Sequence, residues 1–232
     1  MTVITHYQDA PTKTIDVDGV TYAYRQLGPD TGTPVIFLNH LAAVLDNWDP
    51  RVVDGIAAHH RVITFDNRGV GASTGTTPKT IQAMAADAVT FIRALGLTEV
   101  DILGFSMGGM IAQVIAQEEP QLIRKLIIAG TGPAGGEGIK NVTKLSHLDT
   151  VRGLLTFQDP KQFLFFTRTS NGRRAGKEFL TRLEERTDDR DKAISILDRR
   201  LPNSQLVLYP DAGHGGVFQF HQDFVKRSLE FL

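Results

Sequence analysis

The residue with the clearest capacity for covalent chemistry is Ser106, which stands between two glycines in Gly104-Phe105-Ser106-Met107-Gly108. The apolar run "VDIL" precedes this stretch and the helical pattern "MGGMIAQVIAQEEP" follows it. A serine on a sharp turn between strand and helix presents its hydroxyl outward, as a nucleophile must. Glycine is required on either side because a side chain there would crowd the adjoining strand and helix. The following helix would aim its positive end, and the Met107 amide, at an oxyanion forming beside the serine. The competing reading is a glycine-rich turn with an incidental serine, and the strand before it and helix after it argue against that.

A serine nucleophile needs a base. His214, in "YPDAGHGG", follows the last strand-like run and would lie at the sheet end that also holds Ser106. From there it would take the serine proton and pass it to a leaving group. His59 and His60 precede a strand and belong to the opposite edge, while His6, His147 and His221 have no strand end to place them.

The elements that must position these groups follow an α/β rhythm. "KTIDVDGVTYAYRQLG" predicts two strands joined at Asp18-Gly19, an N-terminal antiparallel hairpin. "PVIFLNH", "RVITFD", "EVDILGF" and "RKLIIAG" predict buried strands, with helices over "TIQAMAADAVTFIRALGL" and "MGGMIAQVIAQEEP" between them. This alternation predicts a mostly parallel sheet with helices on both faces. From 133 to 195 the pattern turns helical, with a cap and first-turn proline at Asp159-Pro160. A last strand, "SQLVLYP", and a last helix, "QDFVKRSLEFL", close the chain. The expected organisation is one core from 1–132 and 196–232, with a helical cap inserted at 133–195.

With the elbow in this setting, the chain resembles the α/β-hydrolase family. "VIFLNHLAAVLDNWDP" is similar to the family's strand and oxyanion loop, with Leu41 where glycine usually follows His40. "FDNRGVGAST" resembles the Asp-x-Arg-Gly-x-Gly-x-Ser loop, and "YPDAGHGG" the loop that carries the catalytic histidine. "GFSMGGMIAQ" looks most like the enol-lactonase and esterase branch, and also resembles cofactor-free perhydrolases. The resemblance implies an α/β-hydrolase fold and a serine hydrolase of carboxylic esters or lactones. It implies Ser106 as nucleophile, His214 as base, and an oxyanion hole of the Met107 amide with that of Ala42 or Leu41. It also leaves open a perhydrolase, and a fold that binds without turnover.

The family's third catalytic group, an acid after the penultimate strand, has no clear counterpart. "RDKAISILDRRLPNSQLVLYP" runs from a helix into the last strand, so the segment expected before it, near Ser195 and Ile196, is missing. Asp198 precedes the final strand, which would hold it about 16 Å from the histidine end. Asp211 is close to His214 in a tight loop. Glu137, in the glycine-rich loop after "KLIIAG", lies at the correct edge and is the candidate acid. Phe157, Phe163, Phe165 and Phe166 would roof an apolar substrate pocket; a cluster of this kind is equally a core. Without the penultimate strand the sheet would have an open edge, and a homodimer is one way to cover it.

Composition narrows the rest. At 232 residues and 41% hydrophobic content the chain supports one large domain. Its 25 basic and 26 acidic residues leave a net charge of −1, giving no basic field for nucleic acid or an anionic membrane. A small-molecule ester or lactone is therefore the expected partner. The absence of cysteine excludes a disulfide framework and a thiol nucleophile. No histidine-carboxylate spacing suggests a metal, and the chemistry calls for no cofactor. "GTGPAG", Gly130 to Gly135, matches a dinucleotide fingerprint, but no second strand leads to Asp149, so the match is discounted. The amino terminus lacks the basic start and apolar stretch of a signal peptide, so a cytoplasmic location is expected.

Overall fold

The computed structural model describes residues 4–41, 43–133, 159–186, 211 and 214–232. Strands β1 (Lys13–Val17) and β2 (Val20–Leu27) form the antiparallel hairpin. Asp18 (φ 51°) and Gly19 (φ 76°) make its turn, the paired left-handed geometry that an Asp-Gly step tolerates. Four parallel strands follow: β3 (Val35–Leu38), β4 (Val62–Phe65), β5 (Val100–Phe105) and β6 (Ile123–Ala129). The sheet order is β1-β2-β4-β3-β5-β6, with β2 antiparallel to β4. Helices α1 (Pro50–Ala57), α2 (Ile81–Ala94) and α3 (Met107–Glu118) make the crossovers.

The side-chain period of a strand divides the core into two layers. Ile36, Leu38, Ile63, Phe65 and Ile102 point to one face and pack under α2 and α3. Val35, Phe37, Val62, Leu103 and Phe105 point to the other and meet α1. That second layer also takes in the later helices α4 (Lys161–Leu164), α5 (Ser170–Leu183), α6 (Gly216–Gln219) and α7 (His221–Phe231). Phe165, Phe179 and Phe218 carry the contact, all at most 4% exposed. The fold is therefore the expected α/β arrangement, a mostly parallel sheet covered on both faces.

Helix starts are legible locally. Asp49 caps α1 by accepting from the Arg51 amide at 3.0 Å, with Pro50 in the first turn. Thr80 and Thr169 cap α2 and α5 through the Ala83 and Gly172 amides, at 3.2 and 3.0 Å. The expected cap insertion at 133–195 is described only over 159–186, where α4 and α5 lie. The predicted strand at 204–210 falls outside the described residues. Among the described residues no helix is long and apolar enough to cross a membrane.

Candidate active site

β5 runs into α3 through a single residue, and that residue is Ser106. Its backbone sits at φ 56°, ψ −113°, a left-handed conformation costly for any side chain. Hydrogen bonds hold it there: the Ser106 amide donates to the Ala129 carbonyl at 2.9 Å, and its carbonyl accepts from the Gly109 amide at 3.0 Å. The flanking glycines permit the approach of bare backbones. A Cβ on Gly104 would stand 2.5 Å from the Gly108 carbonyl oxygen, and one on Gly108 would collide with the Leu38 carbonyl. Met107 begins α3, so its amide has no carbonyl one turn back to bind and faces outward at the positive end of the helix.

His214 Nε2 lies 2.9 Å from Ser106 Oγ. The imidazole is wedged between aromatic rings, 5.2 Å from Phe105 and 5.7 Å from Phe165. Burial in this apolar setting pushes its pKa down to about 4, so the ring is neutral at physiological pH. A neutral ring whose Nε2 accepts from the serine hydroxyl carries its proton on Nδ1, the tautomer a general base requires. Among the described residues no carboxylate is bonded to Nδ1. Asp211, near in sequence, directs its carboxylate elsewhere: it accepts from Thr167 Oγ1 at 2.9 Å and Thr169 Oγ1 at 3.0 Å. Glu137 and Asp198 lie outside the described residues.

The loop after β3 passes beside this pair. Leu41 is half-buried next to His40, and Ala42, the other candidate oxyanion donor, is outside the described residues. His40 is buried, and burial pushes its pKa down to about 3. Its Nδ1 donates to the Leu41 carbonyl at 2.7 Å, and its ring meets Phe105 and Phe165 edge-on at 5.5 and 5.0 Å. Buried Asp66 accepts from the Leu45 amide at 2.8 Å and the Ala72 amide at 3.1 Å. The Asp-Asn-Arg-Gly loop thus braces the loop that carries Leu41.

Of the phenylalanines singled out in the sequence, Phe165 touches the histidine. Phe163 is half-buried, Phe166 packs against Phe179 with ring centroids 5.5 Å apart, and Phe157 is outside the described residues. Nothing in the spacing of these rings distinguishes Phe165 from its neighbours; only its contacts do. Sequence reasoning also passed over Thr167 and Thr169, which look like ordinary polar residues before a helix. Among the described residues no cluster of histidine and carboxylate side chains is suited to a metal ion.

Comparison with known proteins places this geometry in context. The profile described as alpha/beta hydrolase fold matches residues 33–192, well over half of the chain. A solved structure, an alpha/beta hydrolase fold protein from Chitinophaga pinensis, superposes with a TM-score of 0.84 at 34% identity, covering 97% of this chain and 98% of that one. A Mycobacterium tuberculosis protein provisionally named non-heme bromoperoxidase BpoC is 35% identical over 113 residues, 48% of this chain and 42% of that protein. A Haemophilus influenzae protein provisionally named esterase/lipase is 31% identical over 143 residues, 61% of this chain and 47% of that protein. The chain thus spans less than half the length of these two curated relatives.

Proposed function

Because this chain belongs to the alpha/beta hydrolase fold family, we propose that it is a serine hydrolase of carboxylic esters or lactones with small, largely apolar acyl groups. The observation that carries the reading is the 2.9 Å contact between His214 Nε2 and Ser106 Oγ at a strained strand-to-helix turn. In the first step His214 takes the hydroxyl proton as Ser106 Oγ bonds to the substrate carbonyl carbon. The carbonyl oxygen gains the negative charge beside the Met107 amide and that of Leu41 or Ala42. Collapse expels the alcohol oxygen, which takes the proton from His214, and leaves an acyl group on Ser106. Water, deprotonated by His214, then attacks the acyl carbon and releases the acid. The apolar rings around the histidine support an apolar acyl group.

The test is labelling with a fluorophosphonate probe, read by intact mass, beside turnover of a short-chain p-nitrophenyl ester. The wild-type chain is expected to gain one adduct on Ser106. Ser106→Ala is expected to gain none and to lose turnover on the order of 10⁴-fold or more. Unchanged turnover in that variant would reject the assignment. A second reading is favoured by the name of the Mycobacterium relative: hydrogen peroxide in place of water would take the acyl group from Ser106 and leave as a peracid. Peracid formation from an ester and peroxide, abolished by the same substitution, distinguishes it.

A further inference from the structure

We propose that the link at residues 165–169, between α4 and α5, is the positioning device for His214: it grips the chain on both sides of the histidine and thereby sets the base on Ser106. The inference rests on the reading of His214 as the general base.

On one side the grip is buried. The Gly215 amide donates to the Phe165 carbonyl at 2.7 Å. Phe165 packs so closely that a Cβ on Gly215 would stand 2.6 Å from the Phe165 Cβ. The Phe165 ring, 4% exposed, also lies against the imidazole of His214 and against His40, Phe105, Phe179 and Phe218. On the other side the grip is polar. The two oxygens of Asp211 each take a hydroxyl, one from Thr167 and one from Thr169. Asp211 holds a left-handed backbone (φ 59°), and its carbonyl accepts from Gln219 Nε2 at 2.7 Å.

Thr169 makes this more than a surface contact. Its oxygen accepts from the Gly172 amide at the start of α5 while its hydroxyl hydrogen goes to Asp211. One side chain therefore fixes the helix end and the histidine segment together. α5 is in turn fastened to the core near its far end, where Arg182 forks onto buried Asp49 at 2.9 and 2.7 Å. A line of contacts runs from α1 through α5 and Thr169 to Asp211, which precedes His214 in the chain. In a serine triad the acid holds the imidazole in orientation. Among the described residues, packing on the ring and the hydrogen bonds made by the Gly215 amide and the Asp211 carboxylate hold the segment that carries His214.

The test separates helix capping from gripping. Thr169→Asp keeps an oxygen to cap α5 but sets a carboxylate against Asp211; Thr169→Ser keeps both bonds; Asp211→Ala removes the anchor from the other side. Each is read by kcat and KM on a p-nitrophenyl ester, by the pH profile of kcat/KM, and by melting midpoint. Thr169→Asp and Asp211→Ala are expected to lose between about ten- and a hundredfold in kcat with KM within about twofold, as a base displaced by a fraction of an ångström would. Their acid limb is expected to climb from near pH 4 toward 6.5 as water reaches the ring, because burial causes the depression. Thr169→Ser is expected to restore both. If Asp211→Ala does not fold, the Asp and Ser variants at 169 decide. Folded Thr169→Asp with wild-type kcat and acid limb overturns the inference. An active Ser106→Ala variant overturns the underlying reading and the inference with it, so the two failures are distinct.

Discussion

Ser106 carries backbone strain that fits its proposed role as nucleophile. A residue with a side chain held at φ 56° costs on the order of 1–3 kcal/mol, and glycine escapes that cost. Ser106→Gly is therefore expected to raise stability by about 1 kcal/mol relative to Ser106→Ala, although both remove the hydroxyl. Urea unfolding of the two variants checks this, and equal midpoints would show that the turn is relaxed. Both glycines beside the serine were legible in the sequence, since a bare backbone is the physical requirement of the turn. The strain itself was not, because it is set by the Ala129 and Gly109 contacts that clamp the serine backbone.

At the scale of elements, the fastening of α5 to α1 is the contact with most at stake. Asp49 is wholly buried, caps α1, and receives both nitrogens of the Arg182 fork. Removing one partner of a buried pair leaves the other charge desolvated, which costs about 3–5 kcal/mol. Arg182→Met, which strands the wholly buried Asp49 carboxylate, is expected to lose that much, while the double variant Asp49→Asn with Arg182→Met, which removes both charges and keeps the cap, is expected to lose less. Chemical denaturation of the two variants measures the difference, and equal losses would mean the pair is effectively solvated. If α5 also steadies the histidine, Asp49→Ala will shift the acid limb in the same direction as Thr169→Asp. The cap at Asp49-Pro50 resembles many others in sequence, and nothing local tells that its carboxylate serves a helix 133 residues away.

For the whole molecule, two buried histidines contribute to the response to acid, in the same direction as the half-buried His60 and His221. His214 and His40 have folded-state pKa values near 4 and 3, below the ordinary value of 6.5. Above pH 6.5 both states leave these rings neutral and stability is fully present. As pH falls from 6.5 toward 4 the unfolded chain binds protons that the folded chain refuses, so stability is lost. The slope is up to about 1.4 kcal/mol per pH unit for each ring. Urea midpoints at pH 7 and pH 5 are expected to differ by more in the wild type than in His40→Gln, which removes one of the two titrations. Identical pH dependence would show that His40 is not buried neutral. The contact between His214 and Ser106 itself survives this range, since a ring with a pKa near 4 remains unprotonated at pH 5.

The sequence by itself determined the layered α/β plan and the elbow, and it singled out Ser106 and His214, the nucleophile and base of the proposed function. Those signals are local: strand period, helix caps and the spacing of glycines around one serine are complete within a dozen or so residues. Tertiary structure alone decided what surrounds the base. Asp211 is separated from His214 in the chain only by Ala212 and Gly213, yet its carboxylate turns to Thr167 and Thr169. Phe165, one of several similar rings in sequence, is the one whose carbonyl and ring meet the histidine segment. Such choices depend on which side chains converge from distant elements, and close packing settles them only when the sheet, α1 and α5 are assembled around the same core.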